Sequence, residues 1–307
     1  MEINMSSKLT IGPILFHWSA DKKLDFYKKI ADETDVHTVY LGEVICSKRA
    51  VFFDQHYEQV ADKLKRAGKK VVYSTLSEVL IKRDRKIIQD FCSMAEDEEI
   101  EVNDASALLH ISGQAHRLGP MMNVYNEDSL KYLASKGAYH ASLPCELPRQ
   151  SIKVMATQAA QVGVSLEMQI FGRMPLALSA RCYHARAHKL SKDSCQFVCE
   201  QDSDGMVLKT LDNKEFLAIN GIQTLSYNFM NLAHELPELE QLGIEYFRLS
   251  PHSNDMITTA RVFNQLIKQE ISAQEALVQI RATGISEPFA NGFFHQKAGH
   301  QWVINRN

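Results

Sequence analysis

Tyr57-Glu-Gln-Val60-Ala61-Asp-Lys-Leu64-Lys-Arg-Ala-Gly68-Lys-Lys70-Val-Val-Tyr-Ser74 holds one unit of the fold. Tyr57, Val60, Ala61 and Leu64 recur at the spacing of one helix face, Gly68 stops the helix, and a short apolar run follows from Lys70 to Ser74. The unit repeats outward in both directions. Before it lie the runs Leu9 to Phe16 and Val36 to Leu41, separated by a helix that Ser19 can cap and that carries Leu24, Tyr27 and Ile30. After it come a helix over Arg83 to Met94, a run at Glu99 to Asn103 and a short helix ending near Gly113. A run at Met121 to Tyr125 and a helix through Leu130 and Leu133 follow, then a run at Tyr139 to Leu143 and a helix through Ile152, Met155 and Ala159. The last runs are Val164 to Phe171 and Tyr246 to Leu249, with a helix over Asp255 to Gln269.

Eight strand–helix units in alternation predict parallel strands, because each helix supplies the crossover. Eight such units can close into a barrel. A doubly wound open sheet is the alternative, weakened by the lack of a Gly-rich phosphate loop after the first strand. The expected fold class is therefore α/β: a (β/α)8 TIM-like barrel forming a single domain over residues 1–307. The rhythm breaks at residues 172–228, a cysteine-bearing insertion after the seventh strand. A hairpin (Val207 to Leu211, Glu215 to Ile219) is expected there, and a helix over Phe229 to Leu242 is expected to follow it. A capping box from Ser272 to Glu275 opens one more helix, and a Gly- and aromatic-rich tail spans Asn291 to Trp302.

The 307 residues are 45% apolar, enough for a substantial core, and the net charge of −3 is spread without a long basic run. No nucleic-acid partner is expected. The N-terminus, Met-Glu-Ile-Asn-Met-Ser-Ser-Lys, lacks the apolar centre of a signal peptide, and no apolar stretch reaches the ~20 residues of a membrane span. A cytoplasmic chain with no membrane span is the expectation. In a reducing compartment its six cysteines read as ligands, catalytic groups or core residues before disulfides.

Cys182, Cys195 and Cys199 fall within eighteen residues, in the segment that breaks the rhythm. Cys46 follows the second strand and emerges at the same C-terminal mouth, where barrels of this kind build their sites. Four thiols could share one metal centre, and thiolates suit iron–sulfur clusters and zinc alike. Cys145, after the sixth strand, rivals Cys46 as fourth ligand. Cys92, inside an amphipathic helix, reads as a small core residue. His184 and His188, between Cys182 and Cys195, keep a mixed cysteine–histidine zinc site open. His17 and His252 also sit at strand ends, as do Glu43, Asn103, Asp104, Glu146 and Glu167; they could bind substrate or serve as acid and base, or line a solvated rim. No Ser-His-Asp order or nucleophile elbow stands out.

Glu167-Met-Gln-Ile-Phe171-Gly172, followed by Ser179-Ala-Arg181-Cys182, resembles the signature of the collagenase-like peptidase family. Typical members carry a further cysteine between the Gly and the Ser, where this chain has Pro175 and its neighbours. Leu41-Gly-Glu-Val-Ile-Cys46-Ser-Lys-Arg49, Arg181-Cys-Tyr-His-Ala-Arg-Ala-His188 and Cys195-Gln-Phe-Val-Cys199 look like the UbiV group of that family. So do Gly12-Pro13, Ser74-Thr75-Leu76, Asn103-Asp104 and Asn123-Val-Tyr-Asn126. The resemblance implies a [4Fe–4S] cluster on Cys46, Cys182, Cys195 and Cys199, which favours Cys46 over Cys145 and cluster over zinc. It implies a heterodimer with a UbiU paralogue, an O2-independent hydroxylase acting on the aromatic ring of ubiquinone precursors. The implied substrate is a prenylated phenol delivered by a lipid-carrier protein, with prephenate as oxygen donor. The alternatives are a collagenase-like peptidase, or a non-catalytic subunit with a structural zinc or iron–sulfur site.

Overall fold

The computed structural model describes residues 7–304. The polar N-terminal stretch at Met1 to Ser6 lies outside the described residues. In chain order the elements are β1 (Lys8–Ile11), α1 (Ala20–Glu33), β2 (Thr38–Leu41), α2 (Tyr57–Arg66), β3 (Lys70–Ser74) and α3 (Lys82–Ser93). They continue with β4 (Glu99–Val102), α4 (Leu108–Ile111), β5 (His116–Leu118), α5 (Glu127–Ala134), β6 (Ala138–Leu143), α6 (Arg149–Val162) and β7 (Ser165–Leu178). The remainder are α7 (Tyr183–Ala187), β8 (Met206–Lys209), β9 (Glu215–Asn220), β10 (Gln223–Asn231), α8 (Leu236–Gln241), β11 (Tyr246–Leu249), α9 (Met256–Ile267), α10 (Ala273–Ala282) and β12 (Phe289–Ala290).

Strands β1 to β7 pair in sequence, each parallel to the next, and β11 closes the ring by pairing in parallel with both β1 and β7. The result is a closed eight-stranded parallel barrel with flanking helices. Along each strand the outward residues are apolar: Leu9 and Ile11, Val39 and Leu41, Ile100 and Val102, Met168 and Ile170, Phe247 and Leu249 are buried in one continuous core. The helices supply the other half of that core through Phe26, Tyr27 and Ile30 of α1, Val60 and Leu64 of α2, and Val262 and Phe263 of α9. Alternate residues point into the barrel, so each strand presents its second side to the lumen.

Two expected elements differ. The fifth strand is His116–Leu118, and the apolar run Met121 to Tyr125 forms instead a short 3-10 turn (Pro120–Met122) that ends on Asn123 in the left-handed region. Pro120 removes a ladder donor there, while the true strand hides behind His116 and Arg117, whose side chains are buried. Phe229 to Asn231 belongs to β10, not to a helix. Strand β7 runs on beyond the barrel to Leu178, and β10 pairs antiparallel with that extension across two bulges. Tyr227 and Phe229 are good strand formers, and only the partner strand could have distinguished their pattern from a helix. The hairpin of the 172–228 segment forms β8 and β9, which pair antiparallel, with β9 on β10. Gly172 marks where β7 leaves the barrel: its φ is +116°, and a Cβ there would lie 2.7 Å from the Ser250 side chain.

Candidate metal centre at the barrel mouth

The Cys46 turn is built by its own neighbours. Glu43 Oε1 accepts the backbone N–H of Ile45 (3.1 Å) and of Cys46 (3.0 Å). Ser77, on the loop after β3, donates to the Val44 carbonyl through both its N–H and its hydroxyl, each at 2.8 Å. The chain then winds into a 3-10 helix (Ser47–Phe52) that buries Arg49 at 2% exposure. Arg49 donates to the Leu15 carbonyl (3.0 Å) and to Asn220 Oδ1 (2.9 Å), and Asn220 in turn donates to Leu15 (2.7 Å). Gly221, at φ +62°, makes room for it, since a Cβ would stand 2.7 Å from Nη2. The Nε of this buried cation has no hydrogen-bond partner.

Around Arg49 lie the thiols. Burial raises the pKa of Cys46 and of Cys199, and the Arg49 guanidinium opposes the rise at both. Cys199 also feels Cys182 and Cys195. Cys182 caps α7, its Sγ accepting from Ala185 N–H at 3.4 Å, and packs on the apolar group Leu15, Val44, Ile45 and Ile222 beside the Cys46 turn. Lys48 Nζ donates to the carbonyls of Lys192 (2.7 Å) and Asp193 (3.1 Å), tying the Cys46 helix to the strand-free loop before Cys195. Phe197, in the left-handed region at φ 53°, meets Phe52 edge-on with ring centres 4.7 Å apart. His17 packs tilted against both rings, 3% exposed, with neither ring nitrogen partnered. The structure therefore brings Cys46, Cys182, Cys195 and Cys199 to one neighbourhood. Cys145 keeps other company: its charged neighbours are Glu146 and Arg248, and burial pushes its thiol up to about 12. Cys92 is a core residue of α3, its Sγ facing the Ala107 carbonyl.

All six thiols are free. A tetrahedral zinc holds sulfurs about 3.8 Å apart. Among the described residues, the group of three ligand atoms all within 4.8 Å of one another is His184, His188 and Asp202, with no cysteine among them. Four free thiols beside a buried cation that would offset thiolate charge are donors of the kind that hold zinc or an iron–sulfur group.

Below the mouth the barrel lumen is polar. Such interiors are usually filled by branched apolar side chains; here polar side chains bond one another, some between neighbouring strands and others, such as Arg248 with Glu101 and Arg117 with Tyr40, across the lumen. Arg248 (β11) pairs with Glu101 of β4 (2.5 Å) and with Glu167 of β7. Glu167 also accepts from Tyr40 (2.9 Å), from Thr10 and, at 3.2 Å, lies against His140. Arg117 donates to Tyr40 (3.1 Å) and pairs with Glu99 (2.7 Å). Arg248 stacks on the Tyr40 ring at 4.0 Å. Burial raises the Glu167 pKa, but Arg248 and His140 outweigh it and hold the carboxyl well below the usual carboxylate range. Above this network a cleft lined by Gly12, Asn103, Gln169 and Arg248 leads to a rim pocket of about 230 Å³ lined by Tyr125, Cys145, Glu146 and Pro175.

The other candidate side chains take distinct places. Asn103 is buried, donating to Thr75 O (3.2 Å), with its Oδ1 unpartnered and lying against Gly119. Asp104 is an N-cap, accepting from Ser106 N–H at 2.8 Å. Glu146 accepts from Tyr125 on the exposed rim (2.8 Å). His252 is buried against Phe16 and Phe229, accepting the Arg173 N–H at 3.3 Å. Sequence reasoning missed Arg49, Tyr40, Glu101, Arg117, His140 and Arg248. A signal existed for three of them: Thr38-Val-Tyr40, Glu99-Ile-Glu101 and Tyr246-Phe-Arg248 alternate polar with apolar, so one face of each of these strands is polar.

A pH dependence follows. Burial lowers the His252 pKa to about 4 and also lowers that of His140. An unfolded histidine binds its proton near pH 6.5. Below that pH the unfolded chain takes up protons that the folded chain refuses, so stability falls. The melting temperature is expected to hold from pH 8 to 7 and to drop steadily from pH 6.5 toward 4. A His252→Gln chain should show a shallower drop, and an identical slope would remove His252 from the account.

A family model described as peptidase family U32 matches residues 19–304. Among solved structures, the U32 peptidase Mk0906 aligns at a TM-score of 0.45 with 10% identity, over 82% of this chain and 96% of that one. The type I 3-dehydroquinate dehydratase of Clostridium difficile aligns at 0.37 with 12% identity, over 54% and 76% respectively.

Proposed function

The chain belongs to peptidase family U32, and from that premise we propose that it is the iron–sulfur subunit of an O2-independent hydroxylase acting on the aromatic ring of ubiquinone precursors. The observation that carries this reading is the meeting of the Cys46 turn with the Cys182–Cys199 segment around buried, incompletely satisfied Arg49. The motif likeness to the UbiV group supports the finer assignment. Cys46, Cys182, Cys195 and Cys199 would hold a [4Fe–4S] cluster, which supplies one-electron chemistry when bound. Arg49 would offset thiolate charge, and Phe52 with Phe197 would keep water from that side. The rim pocket mixes Met121, Leu176 and Leu178 with Tyr125 and Glu146, a lining suited to a phenol ring bearing a prenyl chain. In this reading a UbiU paralogue is the partner subunit, prephenate the oxygen donor, a lipid-carrier protein the source of substrate, and the cytoplasm the site of work.

Chain purified under nitrogen is expected to be brown, with about four iron and four sulfide per chain. A colourless chain without iron would overturn the cluster. With the paralogue, prephenate and a prenylated phenol, ring hydroxylation without oxygen is expected; the intact pair failing to hydroxylate while fully loaded would overturn the substrate. The family description itself favours a second reading, a collagenase-like peptidase. Peptide cleavage that survives loss of the cluster would establish it.

A further inference from the structure

His184 and His188 were weighed above only as partners of the thiols, but the fold gives them a different companion. They stand four residues apart around α7, with rings nearly parallel (11°) and centres 5.7 Å apart. Asp202, just beyond the Cys199 turn, reaches back so that its Oδ2 lies 2.9 Å from His184 Nε2. One ligand atom from each of the three lies within 4.8 Å of the others. Two histidines on one helix face plus a carboxylate form a donor set suited to zinc(II) or a similar borderline cation, with a fourth position open to water.

The surrounding segment has a reason to need such a bond. Between Ser179 and Gly205 only His184, Ala185 and Cys199 are buried, α7 has five residues, and Lys189, Gln196 and Phe197 all adopt positive φ. A stretch with so little apolar burial is of the kind that small folds staple with metals or disulfides, and its cysteines form no disulfide. His184 meets Asp202 through Nε2, and its buried Nδ1 has no hydrogen-bond partner.

We propose that His184, His188 and Asp202 bind one divalent cation of the zinc class, which clamps the helix after Cys182 to the turn after Cys199. This site is separate from the four thiols and stands whether or not they hold a cluster.

The test uses zinc(II) with a competing chromophoric chelator on the full chain in two forms: cluster-loaded under nitrogen, and with all thiols alkylated. Both should bind one zinc per chain at micromolar concentration or tighter. His188→Ala, at an exposed position, and Asp202→Asn should each weaken that binding at least about tenfold, as loss of one ligand in three requires. Zinc should also raise the melting temperature of the parent chain and leave that of His188→Ala unchanged. Binding unaltered by both substitutions, or none tighter than about 100 μM in either form, would overturn the proposal. A chain that purifies colourless tests the cluster alone, since the alkylated form still reports on the histidines.

Discussion

Alanine at Cys46 is expected to leave the anaerobically purified chain with little or no iron and a near-colourless spectrum, while alanine at Cys145 leaves both unchanged. The contrast is the point of the experiment, because both residues follow barrel strands and both are candidates by position. Cys46 shares the field of Arg49 with Cys199, and Cys199 feels Cys182 and Cys195. Cys145 sits instead among Glu146, Tyr125 and the rim pocket. A cluster of this type needs four thiolates, so loss of one leaves an iron open to solvent and oxidation. Iron content should fall from about four per chain to a small residue in Cys46→Ala and Cys182→Ala alike. Full iron in Cys46→Ala with loss in Cys145→Ala would exchange their roles and undo the reading of the Glu43-to-Arg49 turn.

Alanine at Glu167 should cost about 3–5 kcal/mol of folding stability, the usual penalty for stranding one partner of a buried ion pair. Glu167 and Arg248 are both buried to within a few percent, so solvent screens them little. Removing the carboxylate takes the acceptor from Tyr40, Thr10 and His140 together and leaves Arg248 with Glu101 alone. Urea unfolding followed by far-UV circular dichroism would measure the loss. Glu167→Gln keeps the shape and one acceptor and should lose less. A loss below about 1 kcal/mol in Glu167→Ala would mean that the lumen network holds no charge worth the name. The same network gives the barrel a charged floor beneath the cleft, which is why a stability defect here should come with weakened binding of whatever enters that cleft.

The outer half of the barrel was legible in the sequence. Leu9, Val39, Ile100, Met168 and Phe247 belong to apolar runs between amphipathic helices, and hydrophobic burial depends on that pattern without reference to distant partners. Gly68, Gly137 and Gly163 ended their helices at positions the chain itself specifies, each with positive φ. The third and eighth barrel strands matched the expected bounds, Lys70–Ser74 and Tyr246–Leu249. The fifth strand escaped because His116 and Arg117 look like surface residues. Their burial at 0% and 1% is tolerated only where Gln114, Glu99 and Tyr40 receive their hydrogen bonds, and two of those three lie on other strands.

What the chain determines by itself is local: which stretches twist into helices, which run extended, which residues carry soft or charged ligand atoms, and how far apart these stand along the polymer. Periodicity and residue chemistry act over a few residues and need no partner. Only the tertiary structure decides that Arg49 is buried near Cys46 and Cys199, that Cys145 is not among them, that Asp202 reaches His184, and that polar faces turn inward. Those outcomes are interactions between groups tens to hundreds of residues apart, whose free energies exist only once the chain has brought them into contact.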